Sequence, residues 1–166
     1  NMGIALQDQG KHEEAIASFN KAVSLKPDYA EVYNNMGNAL RNKGNLDKAI
    51  DFFKKAVSFK SDYADAYNNM GNILMDQGKL AESIASFKKA ISLKPDYAEA
   101  YNNMGVALKD QFELDMAIDA YNKALVLKPD FAEVYNNMGI ALLDQGKLDK
   151  VIEAYNKALL LKPDYA

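Results

Sequence analysis

The sequence predicts an all-α fold built from stacked helix pairs, and three observations support this prediction. A unit of 34 residues recurs along the chain, the apolar residues of each unit follow helical spacing, and glycine or proline stands where each helix must end. A pair of amphipathic helices cannot bury its apolar faces alone, so successive units are expected to stack on one another.

The period is clearest in the triplet Asn-Met-Gly, whose glycine recurs every 34 residues at Gly3, Gly37, Gly71, Gly105 and Gly139. A second marker is Lys-Pro-Asp followed by an aromatic residue, which begins at Lys26, Lys94, Lys128 and Lys162. The second unit carries Ser61 in place of the proline. Because the period is constant, every unit should have the same fold.

The first helix of a unit is predicted from Tyr33, Met36 and Leu40, which with Gly37 follow the i, i+3, i+4, i+7 spacing of one helix face. Gly44 should end this helix, because glycine readily takes the left-handed conformation of a helix C-terminus. Phe112 holds the matching position in the fourth unit. There either the turn differs or a left-handed non-glycine residue costs about 1–2 kcal/mol.

The second helix is predicted by the same spacing in Leu46, Ala49, Ile50, Phe53, Ala56 and Val57. Pro27 should end the preceding second helix, since proline has no amide proton to continue it. Asp28 is then expected to cap the next first helix, with Glu31 three residues later in capping-box spacing. The same pairing is expected at Asp62/Asp65, Asp96/Glu99 and Asp130/Glu133.

The order Tyr33-x-x-Met36-Gly37-x-x-Leu40, then Ala49-x-x-x-Phe53 and Ala56, resembles the signature of the tetratricopeptide repeat family. The resemblance covers essentially the whole chain. It implies a right-handed superhelical solenoid of antiparallel helix pairs that holds another protein or a peptide. The units look most similar to those of O-linked N-acetylglucosamine transferases and of bacterial repeat-rich scaffold proteins.

We interpret residues 1–166 as a single solenoid domain and as a fragment of a longer array. The first repeat is truncated, and the five units are 1–29, 30–63, 64–97, 98–131 and 132–165.

Composition excludes several classes of function. The chain is 49% hydrophobic and 26% charged, which suits a folded protein, and it has no cysteine for thiolate chemistry. Its net charge of −3 has the wrong sign for general binding of a nucleic-acid backbone, so no nucleic-acid partner is expected. No apolar run approaches the roughly 18–20 residues of a membrane span, so no membrane partner is expected. The absence of cysteine fits the cytoplasm, which is favoured, but a periplasmic protein can also lack cysteine.

No catalytic or metal site is expected, and no cofactor. His12 is the one histidine, and leucine stands at the matching place in the other units, so it is interpreted as a partly buried packing residue. The acids that open each helix are explained by the helix dipole. The chain is therefore predicted not to be an enzyme.

A polar face is predicted on each first helix, opposite the core-facing Tyr33. At about 100° per residue, Glu31, Asn35, Asn38 and Asn42 fall together, with Asn34 and Arg41 on the shoulder. The resemblance implies that this face is the concave wall of the solenoid. The candidate peptide-binding residues are Asn1, Asn35, Asn69, Asn103, Asn137, Asn34, Asn68, Asn102, Asn136, Asn38, Asn72, Arg41 and Lys109.

A constant asparagine on this face suits an extended ligand, because its amide can donate to and accept from a peptide unit. Adjacent helices lie about 8–10 Å apart and an extended chain advances about 3.3–3.6 Å per residue, so each repeat could bind about every third ligand residue. The alternative is that these amides only solvate the helix face or bond to neighbouring helices.

Acidic residues at the edges of this face favour a neutral or basic partner and disfavour a C-terminal carboxylate. They are Glu31, Asp65, Glu99, Glu133, Asp8, Asp76, Asp110 and Asp144. The expected function is therefore binding of an extended protein segment. Two alternatives stay open: a scaffold that associates head to tail through uncapped ends, and a substrate-recruiting array of a larger enzyme such as a glycosyltransferase.

Overall fold

The structure is a computed structural model that describes residues 2–163, apart from the side chain of Asp8. The described residues contain α-helices and turns and no strand, which confirms the predicted all-helical class. The helices are α1 (Met2–Asp8), α2 (His12–Leu25), α3 (Ala30–Asn42), α4 (Leu46–Phe59), α5 (Ala64–Asp76), α6 (Leu80–Leu93), α7 (Ala98–Asp110), α8 (Leu114–Leu127), α9 (Ala132–Asp144) and α10 (Leu148–Leu161).

The helices group into two compact units, one containing α1 to α5 and the other containing α6 to α10. Within the units the strongest packing is between the two helices of one repeat, as in α3 with α4, α7 with α8 and α9 with α10. Each repeat is thus a helix pair, as predicted. The assignment of residues 1–166 to a single domain stays a prediction.

A glycine in the left-handed conformation ends the first helix of most repeats. Gly44 has φ 79°, its amide donates to the carbonyl of Arg41 at 2.9 Å, and the amide of Asn45 donates to the carbonyl of Leu40 at 2.9 Å. These two bonds satisfy carbonyls that the helix end would otherwise leave unpaired. The predicted turn is confirmed there, and positive φ recurs at Gly10, Gly78 and Gly146.

Phe112 keeps this left-handed turn without being glycine. Its φ is 61°, and its amide donates to the carbonyl of Lys109 at 2.8 Å. The amide of Glu113 donates to the carbonyl of Leu108 at 2.9 Å. The Phe112 side chain is 83% exposed, so no packing of the ring compensates for the backbone strain.

The predicted helix caps are wrong. The residue that caps α3 is Tyr29, not Asp28, and no side chain bonds to the free amides of the first turn. The reason is a tight turn closed by the amide of Tyr29, which donates to the carbonyl of Lys26 at 3.3 Å. Asp28 lies inside that turn, where its backbone carbonyl accepts from the amide of Ala30 at 3.0 Å. The same shift places Tyr63, Tyr97 and Phe131 at the caps of α5, α7 and α9, so none of the four expected boxes forms.

Glu31 consequently lies in the first turn of α3 and does not bond back to a capping residue. A hydrogen bond from its own backbone amide holds the pKa of the Glu31 carboxyl below its usual range.

The recurring lysine of the Lys-Pro-Asp-aromatic motif covers the ring three residues later. Its ammonium lies 4.4 to 5.0 Å from the ring centroid, a cation–π arrangement found at Lys26/Tyr29, Lys60/Tyr63, Lys94/Tyr97 and Lys128/Phe131. The motif thus has a structural role at each link between repeats.

Close packing of the two helices depends on the glycine of the Asn-Met-Gly triplet. A Cβ atom at Gly37 would lie 2.6 Å from a ring carbon of Phe53, which is fully buried. The same close approach recurs for Gly3/Phe19, Gly105/Tyr121 and Gly139/Tyr155.

Across residues 2–163, no helix has both the length and the apolar character that crossing a bilayer requires.

Candidate protein-binding face

The first helices of neighbouring repeats contact one another within each unit. In the first unit α3 packs on α5, and in the second unit α7 packs on α9. We call the side formed by α3 and α5, and separately the side formed by α7 and α9, the first-helix face of each unit. It contains the predicted candidate residues of these four helices.

Hydrogen bonds between asparagine side chains join neighbouring first helices. In the first unit, Nδ2 of Asn69 donates to Oδ1 of Asn34 at 3.3 Å. In the second unit, Nδ2 of Asn137 donates to Oδ1 of Asn102 at 3.0 Å, and Nδ2 of Asn102 donates to Oε1 of Glu133 at 3.1 Å. The consecutive asparagines of a repeat therefore have different roles, the first accepting from the next repeat and the second donating to the previous one.

Burial separates the candidates into two groups. Asn34, Asn68 and Asn102 are buried, the last with only 2% of its surface exposed, so they cannot present an amide directly to a ligand. The other described candidates are partly buried and reach the face, and they are Asn35, Asn69, Asn103, Asn137, Asn136, Asn38, Asn72, Arg41 and Lys109. Asn1 and the side chain of Asp8 lie outside the described residues.

The bonds of Asn69 and Asn137 are the contacts to neighbouring helices that the sequence left open as an alternative. These bonds use only part of the hydrogen-bonding capacity of each side chain, since an amide has two donor hydrogens and an oxygen with two lone pairs. Each bond instead fixes the orientation of an amide at the edge of the first-helix face.

Asn38 contributes an acceptor with no protein partner. Its Oδ1 is buried, and none of the described residues donates a hydrogen bond to it. Leaving a buried acceptor unpaired costs about 1–3 kcal/mol. Replacing this side chain by an apolar one would remove that cost.

The acids at the edge are partly neutralised by lysines. Glu31 lies 3.3 Å from Lys60 and Glu99 lies 3.8 Å from Lys128. Both pairs are about half exposed, where an ion pair contributes at most about 1 kcal/mol. The edges keep acidic character, but less than the sequence alone suggested.

Among the described residues, no three histidine, cysteine or acidic side chains come together as a potential metal site. His12 is partly buried, as expected.

Sequence reasoning missed a groove in the second unit. It lies between the second helices α8 and α10, above α9, and has a volume of about 630 Å³. Phe52 is the single large residue among the matching positions, which otherwise hold Ser18, Ser86, Ala120 and Ala154, and this difference was the available signal.

Family models match nearly the whole chain. One described as "TPR repeat" matches residues 3–42, 37–77 and 71–111, and one described as "Tetratricopeptide repeat" matches residues 98–131 and 132–165. These matches are to the repeat in general, and they do not single out the O-linked N-acetylglucosamine transferase units that the sequence resembled. No relative is found among curated proteins.

Solved structures share the fold. A crystal structure of MamA is 28% identical and superposes with a TM-score of 0.87, over 98% of this chain and 95% of MamA. MamA from Desulfovibrio magneticus RS-1 is 21% identical, with a TM-score of 0.87 over 99% and 93% of the two chains. YrrB, described as a TPR protein with an unusual peptide-binding site, is 24% identical, with a TM-score of 0.79 over 99% and 85%.

Proposed function

This chain belongs to the tetratricopeptide repeat family, and on that premise we propose that it binds an extended protein or peptide segment along its first-helix faces. Repeats of this family mediate protein–protein interactions. The residues of this chain indicate which kind of ligand it binds and which contacts hold that ligand.

The observation that carries the proposal is the fixed orientation of the asparagine amides. The bond from Asn69 to Asn34, and that from Asn137 to Asn102, hold an amide at the same place in two different repeats. A preorganised amide loses little side-chain entropy when it binds, so more of each hydrogen bond is available as affinity. Repeated amides at helix spacing suit a ligand with repeated peptide groups.

Hydrogen bonds alone would give weak binding, because each contributes only about 0.5–1.5 kcal/mol. Apolar side chains on the same helices can add to it. Val106 and Ile140 replace the Asn38-type residue in the second unit, and Leu143 of α9 is 49% exposed. We therefore propose a segment with apolar side chains as the ligand of the α7 and α9 face, and, separately, a polar segment as the ligand of the α3 and α5 face.

A neutral to basic segment fits the charges best. Asp65, Glu99 and Glu133 are exposed at the starts of first helices, whereas Arg41 and Lys109 are partly buried. Lys109 is also paired with Asp110 at 3.0 Å. A terminal carboxylate would thus meet more exposed acids than bases.

The test is to select ligands from a library of unstructured peptides and to map the bound one by NMR. The side-chain amide signals of Asn35, Asn69, Asn103 and Asn137 should shift on binding. Selected peptides that shift only residues of second helices would contradict the proposed face.

A second candidate function is self-association, favoured by exposed apolar side chains on α10. Ile152 is 62% exposed, Leu148 61% and Leu160 83%. Sedimentation of the wild type and of Ile152→Glu at increasing concentration tests this candidate. Association that the glutamate removes would support it, and a monomer at all concentrations would contradict it.

A further inference from the structure

The groove between α8 and α10 has an apolar floor and a side wall with one aromatic ring. Ile118 of α8 and Met138 and Leu142 of α9 line the floor, and Tyr135 and Ala154 line the wall. Its volume of about 630 Å³ is in the range of ordinary ligand-binding clefts.

The first unit contains the same arrangement three repeats earlier, with the space filled. Ile16, Tyr33 and Met36 occupy the positions of Ile118, Tyr135 and Met138. Phe52 packs against that cluster, and its ring is stacked on Tyr33 with the centroids 6.2 Å apart. The chain itself thus shows what fits between two second helices and the first helix beneath them.

Ala154 stands where Phe52 stands, so the second unit lacks this ring. The groups that would surround such a ring are present. Lys157 lies 5.7 Å from the Tyr135 ring, as Lys55 lies 5.9 Å from Tyr33 and 5.4 Å from Phe52. An aromatic side chain entering beside Ala154 would meet a stacking partner and a cation, and both contacts favour binding.

The charges at the rim indicate what should flank that aromatic side chain. Lys157 is paired with Glu153 at 3.0 Å, and Asp115 accepts a hydrogen bond from Gln145 at 2.8 Å. Lys147 and Lys150 also line the groove, and neither forms an ion pair with a described residue. Asp115 and Asp119 oppose these two cations in the lining, so the rim is balanced in charge and does not favour charged flanking residues.

We propose that the groove between α8 and α10 binds an aromatic side chain of a protein partner. The site lies between second helices and over α9, and its lining contains none of the candidate residues of the first-helix face. It could be occupied whether or not a segment binds there.

The test uses two short peptides and the NMR signal of the Met138 methyl group in the full chain. Ac-Ser-Phe-Ser-NH2 should shift this signal. Ac-Ser-Ala-Ser-NH2 lacks the ring and should bind about tenfold more weakly. No response to the first peptide, or an equal response to the alanine peptide, would overturn the proposal.

Two reciprocal variants locate the site. Ala154→Phe should fill the groove as Phe52 fills its own, raising the melting temperature and removing the Met138 response. Phe52→Ala should open the first-unit space and add a response at Met36. Persistence of the Met138 response in a folded Ala154→Phe variant would overturn the proposal, even if Phe52→Ala proves too unstable to study.

Discussion

Asn137 donates a hydrogen bond from Nδ2 to Oδ1 of Asn102 at 3.0 Å, and Asn102 is 98% buried between the first helices α7 and α9. The pair joins two repeats through polar groups that lie 35 residues apart in sequence. Because the acceptor is buried, it has no access to water as a substitute donor. Asn137 therefore contributes both to stability and to the proposed binding face.

The first prediction concerns that pair. Asn137→Ala should lower the free energy of unfolding by about 1–3 kcal/mol, because it leaves Oδ1 of Asn102 without its donor. Asn136→Ala, in the same helix and only partly buried, is the matched control and should cost less. Urea unfolding of both variants measures the difference. Equal losses would show that the bond adds nothing beyond ordinary packing.

The second prediction concerns the strained turn. Phe112→Gly should stabilise the fold by about 0.5–1 kcal/mol, because relief of a left-handed non-glycine residue exceeds the extra entropy of glycine in the unfolded chain. Phe112→Ala keeps the Cβ atom and should give no such gain. A clear drop in the melting temperature of Phe112→Gly would mean that the exposed ring stabilises the fold.

The third prediction concerns Tyr121, whose hydroxyl is buried and bonded to none of the described residues. Burial also raises the pKa of this phenol. Phe19, Phe53 and Phe87 hold the equivalent positions, so the hydroxyl is not needed for packing. Tyr121→Phe should raise the free energy of unfolding by about 1 kcal/mol. Tyr155→Phe, at the equivalent but only partly buried position, should change the free energy of unfolding less. A Tyr121→Phe variant that is less stable than the wild type would contradict the prediction, because it would mean that the hydroxyl forms a hydrogen bond.

The fourth prediction concerns alkaline pH. Burial, with smaller contributions from Asp65 and Glu31, raises the pKa of Tyr63 to about 12. The folded state therefore favours the protonated phenol, so this contribution to stability is complete below the unfolded pKa of about 10 and is lost as pH rises toward 12. Urea unfolding between pH 8 and 12 should show a steeper loss in the wild type than in Tyr63→Phe. Parallel pH profiles would contradict the assignment.

Local sequence patterns predicted the helix pairs well. The residues that fix the helices are close in sequence, and the left-handed Gly44 has one dominant structural explanation. The predicted cap at Asp28 was wrong because Asp28 lies inside the turn that the bond from Tyr29 to Lys26 closes, before α3 begins. Propensity alone does not reveal a competing backbone hydrogen bond.

The site was harder to predict because it depends on contacts between repeats. Helical geometry placed Asn34 on the shoulder of the polar face, but its burial follows from the position of Asn69 in the next repeat. A comparison of Ala154 with Phe52, which holds the matching position, indicates the groove beside Ala154. That comparison is informative only when the residues that pack around Phe52 are known.

Replacing Asn38 separates its role in binding from its effect on stability. Asn38→Ile introduces the residue found at Ile4 and Ile140, and it removes the buried Oδ1 that no described residue satisfies. The variant should be at least as stable as the wild type yet bind a selected peptide about tenfold more weakly, because it also removes the Nδ2 group that can donate to a ligand carbonyl. Fluorescence anisotropy measures the affinity, and undiminished binding would exclude Asn38 as a contact.

An N-methyl scan of the bound peptide tests the central claim most directly, because methylation removes one backbone donor at a time. If asparagine amides of successive first helices hold an extended backbone, affinity should fall at about every third ligand residue and stay near the parent value between them. A scan in which methylation has no effect, or in which losses follow no periodicity, would contradict the account.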